Sequence, residues 1–309
     1  MLSATQIGMI MHASMLILLC VGFSFTHMIE KFPNFAHTSF VTIGIMCTYT
    51  LVRLWGFNPY LAWPVAALAN GLIGVAIYLL IVRPIRRTRS GAIRLTFAMF
   101  SLTFVIRSIL AIYSYWVMRT QGFRAIGFML RSYDFEFMGH PGIVLMAPLA
   151  CIAIVASLHL FLTRTKFGIA IKATSENPQL ASTLGIDVHR VHVASWFITG
   201  ALAGLAGAAI PLWEYTNLGY SDKLMIDVMA GSVLGGLDSI YGAMVGGAAL
   251  ALIQTALPGI LLGPFGLGIA KYKPLIPIIV IIVILMYEPK GITSILARGS
   301  RAIKRIRQR

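Results

Sequence analysis

The chain has 309 residues, 58% of them hydrophobic and 11% charged, and a mean hydropathy of +0.83. A soluble domain carries about twice that share of charge, so a soluble globular protein is excluded. The net charge of +15 would suggest nucleic acid in a soluble chain, but here the basic residues lie in short stretches between apolar runs, a pattern of membrane topology with no nucleic-acid partner.

Residues 143–162, 193–213 and 274–287 contain no charged side chain. About 20 apolar residues span the bilayer core as a helix, and a helix satisfies its own backbone polar groups there. A β-barrel would alternate over about 10 residues per strand, and no such alternation occurs. The expected fold is therefore all-α, a polytopic transmembrane bundle of about eight helices forming a single domain over residues 1–309.

In chain order, Ile7 to Phe25 is the first expected span; it lacks the basic start and cleavage site of a removable signal. A polar break with Glu30, Lys31, Pro33, Asn34 and His37 follows. Residues 38–56 and 59–82 are the next spans. The stretch with Arg83, Arg86, Arg87, Arg89 and Arg94 should stay in the cytoplasm. Residues 95–116 cross outward. Residues 117–142, with Arg119, Arg124, Arg131, Asp134 and Glu136, read as an external segment, partly helical along the interface. Residues 143–163 return inward, 164–192 form the main cytoplasmic loop, and 193–213 cross outward again. The tail, 288–309, is basic and cytoplasmic. Cys20, Cys47 and Cys151 all sit in apolar stretches without metal-ligand spacing and read as packing residues.

Residues 227–257 do not fit a simple crossing. As one full span they would leave the basic tail outside, against the charge rule. Two arrangements restore the parity: a re-entrant, broken helix that turns at Gly235 to Gly242, or a tilted hairpin with a cytoplasmic turn. Irregular backbone at membrane depth must be buried in protein or line a cavity, and such broken helices border transport pathways. Small residues recur at helical spacing at Gly200, Gly204 and Ala208, at Gly231 and Gly235, and at Gly242 and Gly246. These faces let helices approach closely.

The loop 164–192 carries the most specific local signal. Asn177 is a good N-cap, Pro178 suits the first helical position and Gly185 stops the helix. That defines a two-turn helix over 178–184, with Leu180, Ala181 and Leu184 on one face, and Asp187 caps the next helix. A helix this short needs a surface to pack on: a cytoplasmic partner or its own bundle.

The same loop resembles the coupling loop of permeases from branched-chain amino-acid ABC transporters. The positions that carry the resemblance are Phe167, Gly168, Lys172, Ala173, Glu176, Asn177, Ala181, Leu184, Gly185 and Ile186. It continues through 197–209 (FITGALAGLAGAA), 233–247 (VLGGLDSIYGAMVGG) and 286–292 (MYEPKGI), and near the start at Asn34, Phe35, Ala36 and His37. The chain departs from the family pattern at Thr38 and Ser39 and at Glu288. The resemblance implies a permease subunit in the cell membrane that pairs with a second permease, like or unlike. Cytoplasmic ABC ATPases would dock on Phe167, Gly168, Lys172, Glu176, Asn177, Leu180, Ala181, Leu184 and Gly185, and an extracytoplasmic binding protein would deliver the solute. This chain would bind no cofactor or metal; its partners would hydrolyse ATP. Related permeases carry urea or short amides, so the substrate stays open.

Asn34, His37, Arg107, Gly235, Gly236 and Asp238 are the candidates for the translocation path. Arg107 lies inside an apolar run and is costly in lipid, so it should meet a substrate carboxylate, pair with a structural carboxylate or reach the interface. His37 reads equally as a buried, hydrogen-bonded residue, Asn70 as a helix–helix hydrogen bond, and Asp238 as a turn residue. A secondary transporter would need intramembrane carboxylates, for which only Asp227 and Glu214 qualify, both near helix ends. A membrane-embedded enzyme would need clustered His, Asp or Glu, and no P-loop or H-E-x-x-H motif is present.

Overall fold

The computed structural model describes residues 4–88, 91–265, 272–288 and 291–292. Arg89, Lys290 and the basic tail from residue 293 lie outside them. The structure is helical, and among the described residues six helices are long and apolar enough to cross a membrane. Two compact units form, one from residues 26–225 and one from the segments before and after it.

The larger unit is built around α9, Val188–Trp213. On it pack α2, His37–Tyr49, prolonged by a π-type turn to Leu54, and α3, Pro59–Ile77. A second π-type turn, Tyr78–Val82, and α4, Arg83–Arg87, continue α3 to its end. Asn58 caps α3 by accepting a hydrogen bond from the Tyr60 N–H, with Pro59 at the first helical position. The closest contacts of α9 with α2 and α3 are largely backbone to backbone. A Cβ on Gly204 would lie 2.7 Å from the Ala66 carbonyl oxygen, and one on Gly44 2.5 Å from the Gly204 oxygen. Gly74, Gly200 and Gly207 meet Trp196, Asn70 and Val41 in the same way. The small-residue face read at Gly200 and Gly204 is thus a contact face. Asn70 differs from expectation: its Nδ2 donates to Ala66 in its own helix at 2.9 Å and not across helices. The close approach of Gly204 leaves that amide against α9 with no room to reach further.

Helices α5, Ala92–Gln121, and α6, Ile143–Arg164, are the least buried spans. The segment between them is not an interfacial helix. It makes β1, Gly127–Phe128, a 3₁₀ turn at Arg131–Tyr133, and a hairpin of β2, Glu136–Phe137, with β3, His140–Pro141. Strand β1 pairs antiparallel with β4, Thr216–Asn217, which follows α9. Ala125 and Leu130 are buried, the Leu130 N–H donates to Pro211, and Phe128 packs on Tyr49. Asp134 accepts from Tyr60 Oη and from the Ile143 N–H, so one carboxylate holds α3 and caps α6. Apolar side chains seat this segment on the ends of the helices, where the ladders form.

Helix α1, Ala4–Glu30, belongs to the smaller unit as far as Phe25 and to the larger unit from Thr26. The smaller unit also contains most of α10, Tyr220–Gly235, then α11, Ile240–Phe265, and α12, Leu275–Tyr287. The helical stretch is longer than the expected 227–257, but it breaks inside the expected turn: Gly236 has φ +107°. Gly235 touches Gly242, and Gly246 touches Gly231 and Gly235, so α10 and α11 are in backbone contact. Sixteen residues make α10 about 24 Å long, short of a roughly 30 Å core, whereas α11 is long enough to cross. Gly291, just beyond α12, lies against Gly236, so the turn sits beside the chain that leads to the basic tail.

Glycine contacts of this kind tolerate no side chain. Gly204→Ala should lower the thermal unfolding midpoint of the purified protein in detergent, and Gly204→Leu should lower it further, because overpacking costs about 1–3 kcal/mol. Gly259→Ala, where a Cβ meets nothing within 4 Å, should leave the midpoint unchanged or raise it.

Candidate functional site: the loop 164–192 and the buried polar groups

The loop 164–192 holds two helices. The first, α7, Lys166–Glu176, was not legible as a helix. Thr165 caps it, accepting from the Gly168 N–H at 2.9 Å while its own hydroxyl donates to the Phe161 carbonyl. Gly168 lies against the last turns of α6, with Leu162 Cα 2.5 Å from where a Cβ would stand. The Phe167 ring meets Phe161 at 6.2 Å. Phe167 and Gly168 therefore seat α7 on α6, while Lys172 and Glu176 point to the exposed side.

The second, α8, Pro178–Thr183, starts where expected and ends one residue early. Asn177 Oδ1 accepts from the Gln179 and Leu180 N–H groups, each at 3.0 Å. Gly185 has φ +81°, and the Ile186 N–H closes the helix end on the Ala181 carbonyl at 3.1 Å. Asp187 then caps α9 through the Arg190 N–H and pairs with its guanidinium at 2.9 Å. The apolar face does not pack as one surface. Ala181 is 2% exposed, but Leu180 is 58% and Leu184 72% exposed. Two leucines on a well-capped helix are thus left largely exposed.

Beside this loop lies a charged cluster that the sequence did not reveal. The Glu30 carboxylate, at the end of α1, is fully buried. It accepts from Arg86, from His192 Nδ1 at 2.7 Å and from Trp196 Nε1 at 2.9 Å. Arg86 also donates to the Glu30 carbonyl at 2.9 Å. Tyr78 stacks on His189, His192 and Trp196. One turn along α1, Thr26 donates to Thr199 at 2.7 Å. Removing one partner from a buried pair typically costs about 3–5 kcal/mol. Each residue here looks ordinary in sequence; only the fold makes them neighbours, across as many as 166 positions.

The path candidates fall in different elements. Asn34 and His37 share the turn before α2, with the His37 N–H donating to the Asn34 carbonyl at 3.1 Å; both are buried. Asn34 Oδ1 accepts from the Ala36 N–H, so this pair at least shapes the turn. Arg107 has a partner in the chain: its Nη1 meets Asp222 Oδ2 at 2.7 Å, and both side chains are about half exposed. Gly235 and Gly236 are buried in the α10–α11 turn, where Asp238 is exposed. A second network was also missed. Gln254 on α11 donates to Asp227 on α10 and accepts from His12 on α1, each at 2.7 Å. The carboxylate fixes the amide's orientation, which requires His12 Nε2 to carry a proton. Among the described residues, no cluster of His, Cys, Asp or Glu could hold a metal ion.

Membrane-length helices in glycine-lined contact define a multi-pass helical membrane protein. The chain belongs to the family of permease components of branched-chain amino acid transport systems, whose model matches residues 6–285. It is 33% identical over 288 residues to the probable branched-chain amino acid transport permease protein LivH of Methanocaldococcus jannaschii, covering 93% of this chain and 91% of that one. It is 25% identical to the high-affinity branched-chain amino acid transport system permease protein BraD of Pseudomonas aeruginosa, over 89% of this chain and 90% of that one. A shorter match, 33% over 115 residues, is to the nucleoside ABC transporter permease protein NupB of Lactococcus lactis, covering 36% of this chain and 31% of that one. No solved structure matches the chain.

The cap geometry makes a local prediction. Asn177→Ala removes both side-chain bonds at the start of α8 and should cost about 1 kcal/mol there. Hydrogen exchange at Gln179 and Leu180 should speed up several-fold, while exchange within α9 stays unchanged.

Proposed function

We propose that the chain is the translocating subunit of an ATP-binding-cassette importer for branched-chain amino acids. It pairs with a second permease, takes solute from an extracytoplasmic binding protein and docks ATPase subunits through loop 164–192. It binds no cofactor itself; the ATPases hydrolyse ATP. The observation that carries this reading is the exposure of Leu180 and Leu184 on a helix fixed at both ends by Asn177 and Gly185. A short helix that leaves two large apolar side chains in water is ready to bury them in a partner's cleft. Closure of the ATPases would move α7 and α8 together with α9, which begins one residue after Asp187.

The Arg107–Asp222 pair favours an amino acid over urea or a short amide. A zwitterion offers a carboxylate to the guanidinium and an ammonium to the carboxylate, and both members remain half exposed. A neutral amide can hydrogen-bond to both groups but brings no charge to match theirs.

Two experiments in proteoliposomes holding the full complex test this reading. Leu180→Asp with Leu184→Asp should abolish ATP-driven uptake while the permease stays folded; normal uptake would rule out docking at α8. Arg107→Gln and Asp222→Asn should each reduce leucine uptake about 10- to 100-fold, the range expected for loss of a charged hydrogen bond. The double variant separates the roles. If the pair only holds α5 to α10, removing both charges restores uptake. If the charges meet the substrate, the double variant stays inactive.

A further inference from the structure

We propose that the Glu30 cluster is a transmission joint, with Glu30 as the positioning residue that passes movement of the docked loop from α9 to α1. The proposal rests on the docking role of α8 given above. Its geometry is independent of that role.

The first two turns of α9 follow directly on the Asp187 cap, so they move with the loop. His192 and Trp196 stand one turn apart on that stretch, and both donate to the same Glu30 oxygen, Oε1. The other oxygen, Oε2, is held by Arg86 at the end of α4. Thr26 and Thr199 add a hydrogen bond one turn along both helices. The last turns of α1 are thus fastened to α9 by directional side-chain bonds, whereas α2 and α3 meet α9 chiefly through close glycine contacts. A buried carboxylate cannot release its donors without leaving a charge unpaired. The joint therefore stays closed while α9 moves, and α1 must follow. Because α1 continues as far as Ala4, the displacement reaches a helix whose other residues lie outside the larger unit. Simple anchoring would not require two donors from successive turns of the helix that leaves the docking loop, with a cation from a third element on the other oxygen.

The test uses the full complex in proteoliposomes, measuring ATP hydrolysis and leucine uptake in the same vesicles. Glu30→Gln keeps the size of the side chain and removes the charge. It should lower solute moved per ATP hydrolysed at least 10-fold, with ATP hydrolysis within about twofold of wild type. His192→Gln, whose amide can still donate to Glu30, should keep at least half of the wild-type ratio, and His192→Leu should lose it. If uptake and hydrolysis fall together in all three variants, in step with the amount of assembled complex, the cluster is structural and the proposal fails. It fails equally if the Gln and Leu variants at 192 behave alike. ATP-driven uptake by the wild-type complex decides the importer reading separately, whatever the variants do.

Discussion

The larger unit depends on the approach of α9 to α2 and α3. Lipid offers no hydrophobic force to press helices together, so packing and hydrogen bonds must hold the bundle. Glycine supplies the packing. At Gly44, Gly74, Gly200, Gly204 and Gly207 carbonyl oxygens of one helix sit where a side chain would be on the next. That depth of contact gives α9 a buried course on both flanks, and it brings Trp196 and His192 within reach of Glu30. The polar groups then add direction to a contact that is otherwise smooth. The same device recurs in the smaller unit, where Gly231, Gly235, Gly242 and Gly246 bring α10 and α11 together.

Much of this architecture was legible because the bilayer imposes length and polarity on every span. Helices α5, α6 and α9 fall where the apolar runs placed them, and the capping residues Asn177, Gly185 and Asp187 fixed α8 almost to the residue. Helix α7 was missed because its cap is a threonine immediately after a basic residue and its apolar face is seated on α6, a tertiary fact. The ladders within the segment 117–142, which was read as partly helical along the interface, were missed because a two-residue ladder has no periodicity to detect. Its partner, Thr216, stands far along the chain.

The candidate site divides in the same way. Local chemistry identified the short capped helix α8, since caps act over three or four residues. Leu180 and Leu184 were grouped with Ala181 by spacing, and only the fold separates the buried residue from the exposed pair. Arg107 announced that it needed an anion, yet nothing in its neighbourhood named Asp222, 115 positions away. Glu30 looked like part of a polar break between spans. Its burial shows that the break begins one residue later, at the Lys31 backbone with φ +57°.

The ribbon of β1 and β4 bears on biogenesis. Its two strands are separated by about 90 residues, and ribosomes add about 5–20 residues per second. During that interval, about 5–18 seconds, Ala125, Phe128 and Leu130 have been made while the chain that will cover them is still unmade. The nascent protein must keep these apolar side chains from the wrong partners until α9 has crossed and Pro211 and Thr216 have arrived to receive them. The face of this permease that carries β1 and β4 is therefore finished late, and a chain arrested before α9 would leave these apolar side chains uncovered.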